Sequence, residues 1–126
     1  MESRQTFRKE ERLTSATAIT RLFDDGNSFV VYPLKVVWMS SSLLHPLPAQ
    51  VAFAVSRRNF RRAVDRNLLK RRMREAYRTR KGPFYEACGE RKIIFMFIYI
   101  AKEVLPSENI AKAMANALSR LPGKNF

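Results

Sequence analysis

Residues Val51 to Lys81 read VAFAVSRRNFRRAVDRNLLKRRMREAYRTRK, and two periods meet in that stretch. In Val51 to Ser56, Phe53 and Val55 alternate with the small Ala52 and Ala54. That is the two-residue repeat of a strand, and its small side leaves room for something to approach closely. From about Arg62 to Arg80 the period lengthens. Leu69, Met73, Ala76 and Tyr77 recur at i, i+4, i+7 and i+8, and Val64 and Leu68 widen this apolar flank. Asn67, Lys70, Arg71, Arg74 and Arg78 share another face. A helix with this pattern docks on a core by one side and carries a cationic ridge on the other. Gly82-Pro83 is expected to stop it, since proline brings no N–H to the ladder.

The ridge carries most of the chain's charge. Arg57 to Lys81 contains twelve of the 24 Lys and Arg residues, opposed only by Asp65 and Glu75, a net of +10 out of +13. Helix faces that merely meet solvent usually mix signs in i, i+4 pairs, and this one hardly does. Its cations are mostly arginine, which suits bidentate phosphate contact better than lysine. An acidic partner follows: nucleic acid first, an anionic membrane surface second. The 126 residues, 46% of them hydrophobic, fit one domain with a real core, spanning 1–126. The single cysteine, Cys88, excludes an internal disulfide framework and suits a reducing compartment. The start is charged, and the longest apolar run, Ile93 to Ala101, is too short to span a bilayer as a helix. The expectation is a cytoplasmic protein with no membrane partner.

Outward from the basic stretch, Met1 to Arg12 is polar and expected to be flexible. Thr14 or Ser15 can cap a short helix in which Ile19, Leu22 and Phe23 form one face, and Gly26 is expected to end it in the left-handed conformation. FVVYPLKVVWM, Phe29 to Met39, is β-branched and aromatic. Pro33 divides it into a short edge strand and a second strand from Leu34. In that strand Leu34, Val36 and Trp38 face one way and Lys35, Val37 and Met39 the other. Ser40 to Gln50 and Phe84 to Arg91 read as loops. IIFMFIYI, Ile93 to Ile100, is apolar on both faces, as a central strand covered on both sides must be. Ser107 can cap a last helix striped by Ile110, Met114, Ala117, Leu118 and Leu121 and ended by Gly123. The order α-β-β-β-α-β-α predicts the α+β class, a mixed four-stranded sheet with helices packed on it.

Catalytic chemistry is poorly supplied. His45, the only histidine, sits in a loop, and Cys88 has no second cysteine or histidine nearby. The four glycines form no phosphate loop, and the carboxylates are scattered, with Glu10-Glu11 and Asp24-Asp25 as the adjacent pairs. Binding chemistry is better supplied, by the ridge for duplex phosphates and by a groove with apolar walls for a single strand. Phe23, Tyr32 and Trp38 are candidate walls, with Trp38 assigned to the core because its face matches Leu34 and Val36.

VAFAVS followed by RRNFRRAVDRNLLKRRMREAYR resembles the signature of the bacterial ribonuclease P protein component. Ala63-Val64, Arg66-Asn67, Lys70-Arg71 and Arg74-Glu75 match that family's basic motif, and Leu68 stands where the motif carries a second arginine. The resemblance implies the protein subunit of an RNA-catalysed endoribonuclease, a hydrolase that removes the 5′ leader of precursor tRNA. The protein itself is not expected to be catalytic, and Mg²⁺ would be bound chiefly by the RNA subunit and the substrate. It implies contacts with the catalytic RNA through Arg57, Arg58, Arg61, Arg62, Arg66, Asn67, Lys70, Arg71, Arg74 and Arg78. It also implies a leader cleft between the sheet and the basic helix, lined by Ile19, Phe23, Lys35 and Val37. The alternative is a ribosomal or general structured-RNA-binding protein with no role in tRNA processing. A DNA-binding basic helix is less well supported, because no heptad repeat follows the basic region.

Overall fold

The computed structural model describes Phe7, residues 9–40 and residues 49–123. The elements are α1 (Ala16–Asp25), β1 (Asn27–Val31), β2 (Leu34–Ser40), β3 (Ala49–Val55), α2 (Ala63–Cys88), β4 (Ile93–Tyr99) and α3 (Ser107–Arg120), with short 3-10 turns at Lys9–Glu11 and Leu121–Gly123. This is the α+β order read from the sequence. The strands run β1-β2-β4-β3 across one sheet, with β3 parallel to β4 and the other two pairs antiparallel.

β4 is central for the reason its composition gives. Ile93, Phe95, Phe97 and Tyr99 enter the larger core, while Ile94 and Met96 enter a smaller one behind the sheet. The larger core joins Leu34, Val36 and Trp38 to Leu69, Met73 and Tyr77 of α2 and to Ile110, Met114 and Leu118 of α3. The smaller joins Val37, Ile94 and Met96 to Leu13 and to Ala18 and Leu22 of α1. Two helices thus cover one face and α1 part of the other. Pro33 sits in the turn between β1 and β2, where no ladder needs its N–H, and β1 is an edge strand as expected.

Several local expectations fail. α2 does not stop at Gly82-Pro83 but runs on to Cys88 with Pro83 inside it, so Phe84 to Cys88 is helix rather than loop. The apolar stripe simply continues: Phe84 and Cys88 are buried, and the Phe84 ring meets Phe95 edge-on at 5.6 Å. An interior proline costs about 3 kcal/mol, and burying two such side chains returns roughly 1.5–3 kcal/mol each. The positive-φ glycine that ends a helix here is Gly89, at φ 61. Gly26 is extended, at φ −72 and ψ 157, and leads straight into β1. Ser15 rather than Thr14 caps α1, its Oγ accepting from the Ala18 N–H at 3.2 Å. Ser107 is the first residue of α3, and the preceding Pro106 offers no side-chain cap. β3 begins at Ala49, inside the expected loop. Residues 41–48 of that loop, His45 among them, lie outside the described residues.

Within the N-terminal segment, Phe7 and residues 9–13 make defined contacts with the rest of the fold. Phe7 packs against Phe53 and Tyr77, each at 5.9 Å between ring centres. Arg12 bridges Val51 in parallel, and the Leu13 N–H donates to the Val51 carbonyl at 2.9 Å. Glu11 is 1% exposed and receives Lys81 Nζ at 2.6 and 2.5 Å, with Lys81 itself 5% exposed. The Tyr85 hydroxyl donates to the same carboxylate at 2.5 Å, and the Tyr77 hydroxyl to Tyr85 at 3.0 Å. The segment is a strap that passes over the outer edge of β3 from the larger core to the smaller.

Candidate nucleic-acid interface

Burial sorts the twelve cations of Arg57 to Lys81. Lys81 leaves the surface entirely, held by Glu11. Arg57, Arg58, Arg61 and Arg62 are exposed on the connection from β3 to α2. That connection is shaped by Ser56, whose Oγ accepts from the N–H of Arg58 at 3.1 Å and Asn59 at 3.4 Å, and by Phe60, buried against Tyr99. Arg66 turns back and donates through Nη1 to the carbonyls of Phe60 and Arg61, both at 2.8 Å. Its guanidinium therefore pins the basic loop to the start of α2. Asn67, Arg71 and Arg74 are exposed on α2, and Lys70 is half-buried. Arg78 makes a two-pronged contact with Glu75, at 2.7 and 3.0 Å, and the hydrogen bonds hold the Glu75 carboxyl below its usual range. Leu69, Met73, Ala76 and Tyr77 are buried, so the helix divides as its periodicity predicts.

The four groove residues lie on the opposite face of the sheet. Lys35 and Val37 point to the α1 side, whereas α2 and α3 fill the other face with core. No groove between the sheet and α2 is available to them, which corrects the expected placement. The error has a simple source: strand alternation gives two faces but does not say which helix lies on which. Val37 is 6% exposed and closed over by α1, so it is floor rather than wall. Ile19 is partly buried against the same cluster. Phe23, one turn further on, is 56% exposed.

α1 leaves part of its face uncovered. The register places Val30, Lys35, Ile98 and Ala54 side by side in one row across all four strands. Val30 is 53% exposed and the other three are half-buried. The row runs from the β1 edge to the end of β3, where the basic loop begins at Ser56. Ala54 is the small residue whose side was expected to admit a close neighbour. Val30 and Ile98 were not singled out from the sequence. Only pairing register reveals them, because both read as ordinary strand hydrophobics.

A sheet with one face left partly open by α1, joined by a cationic loop to a cationic helix on the other face, defines a small α+β protein of the nucleic-acid-binding class. The family model described as Ribonuclease P matches residues 7–122. A ribonuclease P protein component of Porphyromonas gingivalis is 36% identical over 117 residues, covering 91% of this chain and 85% of that one. One from Chlorobium phaeobacteroides is 39% identical over 103 residues, covering 79% and 70%. The RNase P protein from Thermotoga maritima shares the fold, with a TM-score of 0.70 at 23% identity over 87% of this chain and 96% of that one. The chain belongs to the ribonuclease P protein family.

Among the described residues, no helix is long and apolar enough to cross a membrane, and no group of three or more His, Cys, Asp or Glu side chains is placed to hold a metal ion.

Proposed function

We propose that the chain acts in the cytoplasm as the non-catalytic subunit of an RNA-catalysed endoribonuclease that matures the 5′ end of tRNA. The loop Arg57 to Arg62 and the outer face of α2, with Asn67, Lys70, Arg71 and Arg74, bind phosphates of the catalytic RNA. The open row Val30-Lys35-Ile98-Ala54, together with the exposed Phe23 of α1, holds the single-stranded leader of precursor tRNA. Mg²⁺ stays with RNA and substrate, which supply the phosphate oxygens that such a hard ion prefers. The observation that carries the reading is the separation of two surfaces in a member of this family. One is cationic and suited to duplex backbone; the other is apolar with a single lysine, suited to a flexible strand.

The test is reconstitution with a bacterial ribonuclease P RNA at low Mg²⁺. Phe23→Ala and Lys35→Ala are expected to lower affinity for precursor tRNA by about 1–3 kcal/mol, the usual range for a stacked or charge-assisted contact to a strand. Affinity for mature tRNA and assembly with the RNA should hold. A precursor-to-mature ratio unchanged in both folded variants would place the leader elsewhere.

A further inference from the structure

Between α2 and the start of α3 lies a groove of about 550 Å³, of whose lining the reading above uses only Arg71. Its floor is apolar, made by Leu68, Ala76 and Ala111. Its ends are guanidinium groups already fixed in place. Arg72 donates through Nη1 to the Leu105 carbonyl at 2.7 Å, and Arg80 through Nη1 to the Ala76 carbonyl at 3.2 Å and Thr79 Oγ1 at 2.9 Å. The two arginines are eight residues apart on one helix, about 12 Å along its axis. Each spends one nitrogen on the protein, which orients the remaining donors and the flat face of the group at little further entropic cost. Glu108, exposed in the first turn of α3, brings a carboxylate to the rim. The other carboxylate lining the groove, Glu75, is occupied by Arg78.

A purely phosphate-binding surface has no use for an apolar floor or a free carboxylate, and a purely apolar ligand has no use for two fixed cations. One chemistry uses all three. We propose that this groove receives a single unstacked nucleotide of the RNA bound by α2. The base lies on Leu68, Ala76 and Ala111, its two flanking phosphates meet Arg72 and Arg80, and Glu108 accepts a hydrogen bond from an exocyclic amino group. Adenine, cytosine and guanine carry such a group and uracil does not, so the groove discriminates against uridine. The inference rests on α2 being an RNA-binding helix. It adds a second kind of recognition there, of an extruded base rather than of backbone alone.

The experiment uses the full-length protein and RNA hairpins of equal length that are either fully paired or carry one bulged nucleotide, A or U, with binding followed by fluorescence anisotropy at fixed salt. The bulged-A hairpin is expected to bind about tenfold tighter than the paired one, the lower part of the range for stacking one base, and the bulged-U hairpin to fall between them. Ala111→Phe fills the floor and should equalise all three. Glu108→Ala lies outside any packing and should abolish the A-over-U preference while leaving the fold intact, so the proposal stays testable if Ala111→Phe disturbs the helix pair. Arg74→Ala, outside the groove, should weaken all three hairpins alike. Equal binding of the three hairpins by the wild type, or a bulge preference that survives both groove variants, overturns the inference. Hairpin affinity unaffected by Arg74→Ala would overturn the ridge reading instead.

Discussion

A methyl group added at Gly26 would run into the Leu22 carbonyl of the last turn of α1 and reach Val37 Cγ1 at 3.0 Å. The backbone angles there are ordinary, so the constraint is space alone. Gly26→Ala should therefore cost about 1–3 kcal/mol, as overpacking does, read as a lower urea midpoint with an unchanged slope. At Cys88 the constraint is chemical. The thiol is buried and burial raises its pKa, so it should resist an exposed-thiol reagent until the protein unfolds. Leu69 and its neighbour Lys70 divide the two functions of α2. Leu69→Ala should lose about 2–5 kcal/mol of stability, whereas Lys70→Ala should leave the urea midpoint nearly unchanged and lower RNA affinity. That division was legible in the sequence, because the apolar and cationic positions of α2 recur at fixed helical offsets. The buried Lys81 was not legible, since it sits in the same run of basic residues as its exposed neighbours, and only Glu11, 70 residues earlier, separates it from them.

At the scale of elements, the strap and α2 are joined through that buried pair. Removing one partner leaves an uncompensated charge in the interior, which costs about 3–5 kcal/mol, while an apolar replacement of both is often close to neutral. Glu11→Leu and Lys81→Met should each be strongly destabilising, and the double variant should recover most of the loss in a denaturant cycle. The strands were the best-read elements, because β4 is apolar at every position and β2 alternates around Trp38. The ends of α2 were the worst read. Gly82-Pro83 is a strong local stop signal, but Phe84 and Cys88 extend the stripe into a core contributed by β4 and α3, which local sequence does not display. The open row on the sheet was hidden for a related reason. Lys35 and Ala54 were individually noticeable, yet only the register brings them into line with Val30 and Ile98.

For the molecule as a whole, two responses to solvent follow. Burial pushes the Tyr77 phenol well above its usual range and raises Tyr99 as well. A raised folded-state pKa contributes stability that is complete below the unfolded value, roughly pH 10, and is lost as pH rises past it. The phenolate absorbance of these two buried tyrosines should accordingly appear together with alkaline unfolding rather than before it. Salt acts on the other surface. Six arginines, at positions 57, 58, 61, 62, 71 and 74, are exposed on the basic loop and α2. If all six meet duplex phosphates, the log–log salt slope should be about −5, and Arg74→Ala should reduce its magnitude by about one. The strap has a consequence in time as well as in space. Synthesis delivers Glu11 and Leu13 first, but β3 comes almost forty residues later and Lys81 later still. β3 then waits for β4, whose Ile93 pairs with Ala49. Nothing can fasten the first segment until most of the chain has left the ribosome, so its docking belongs to the end of folding, not the beginning.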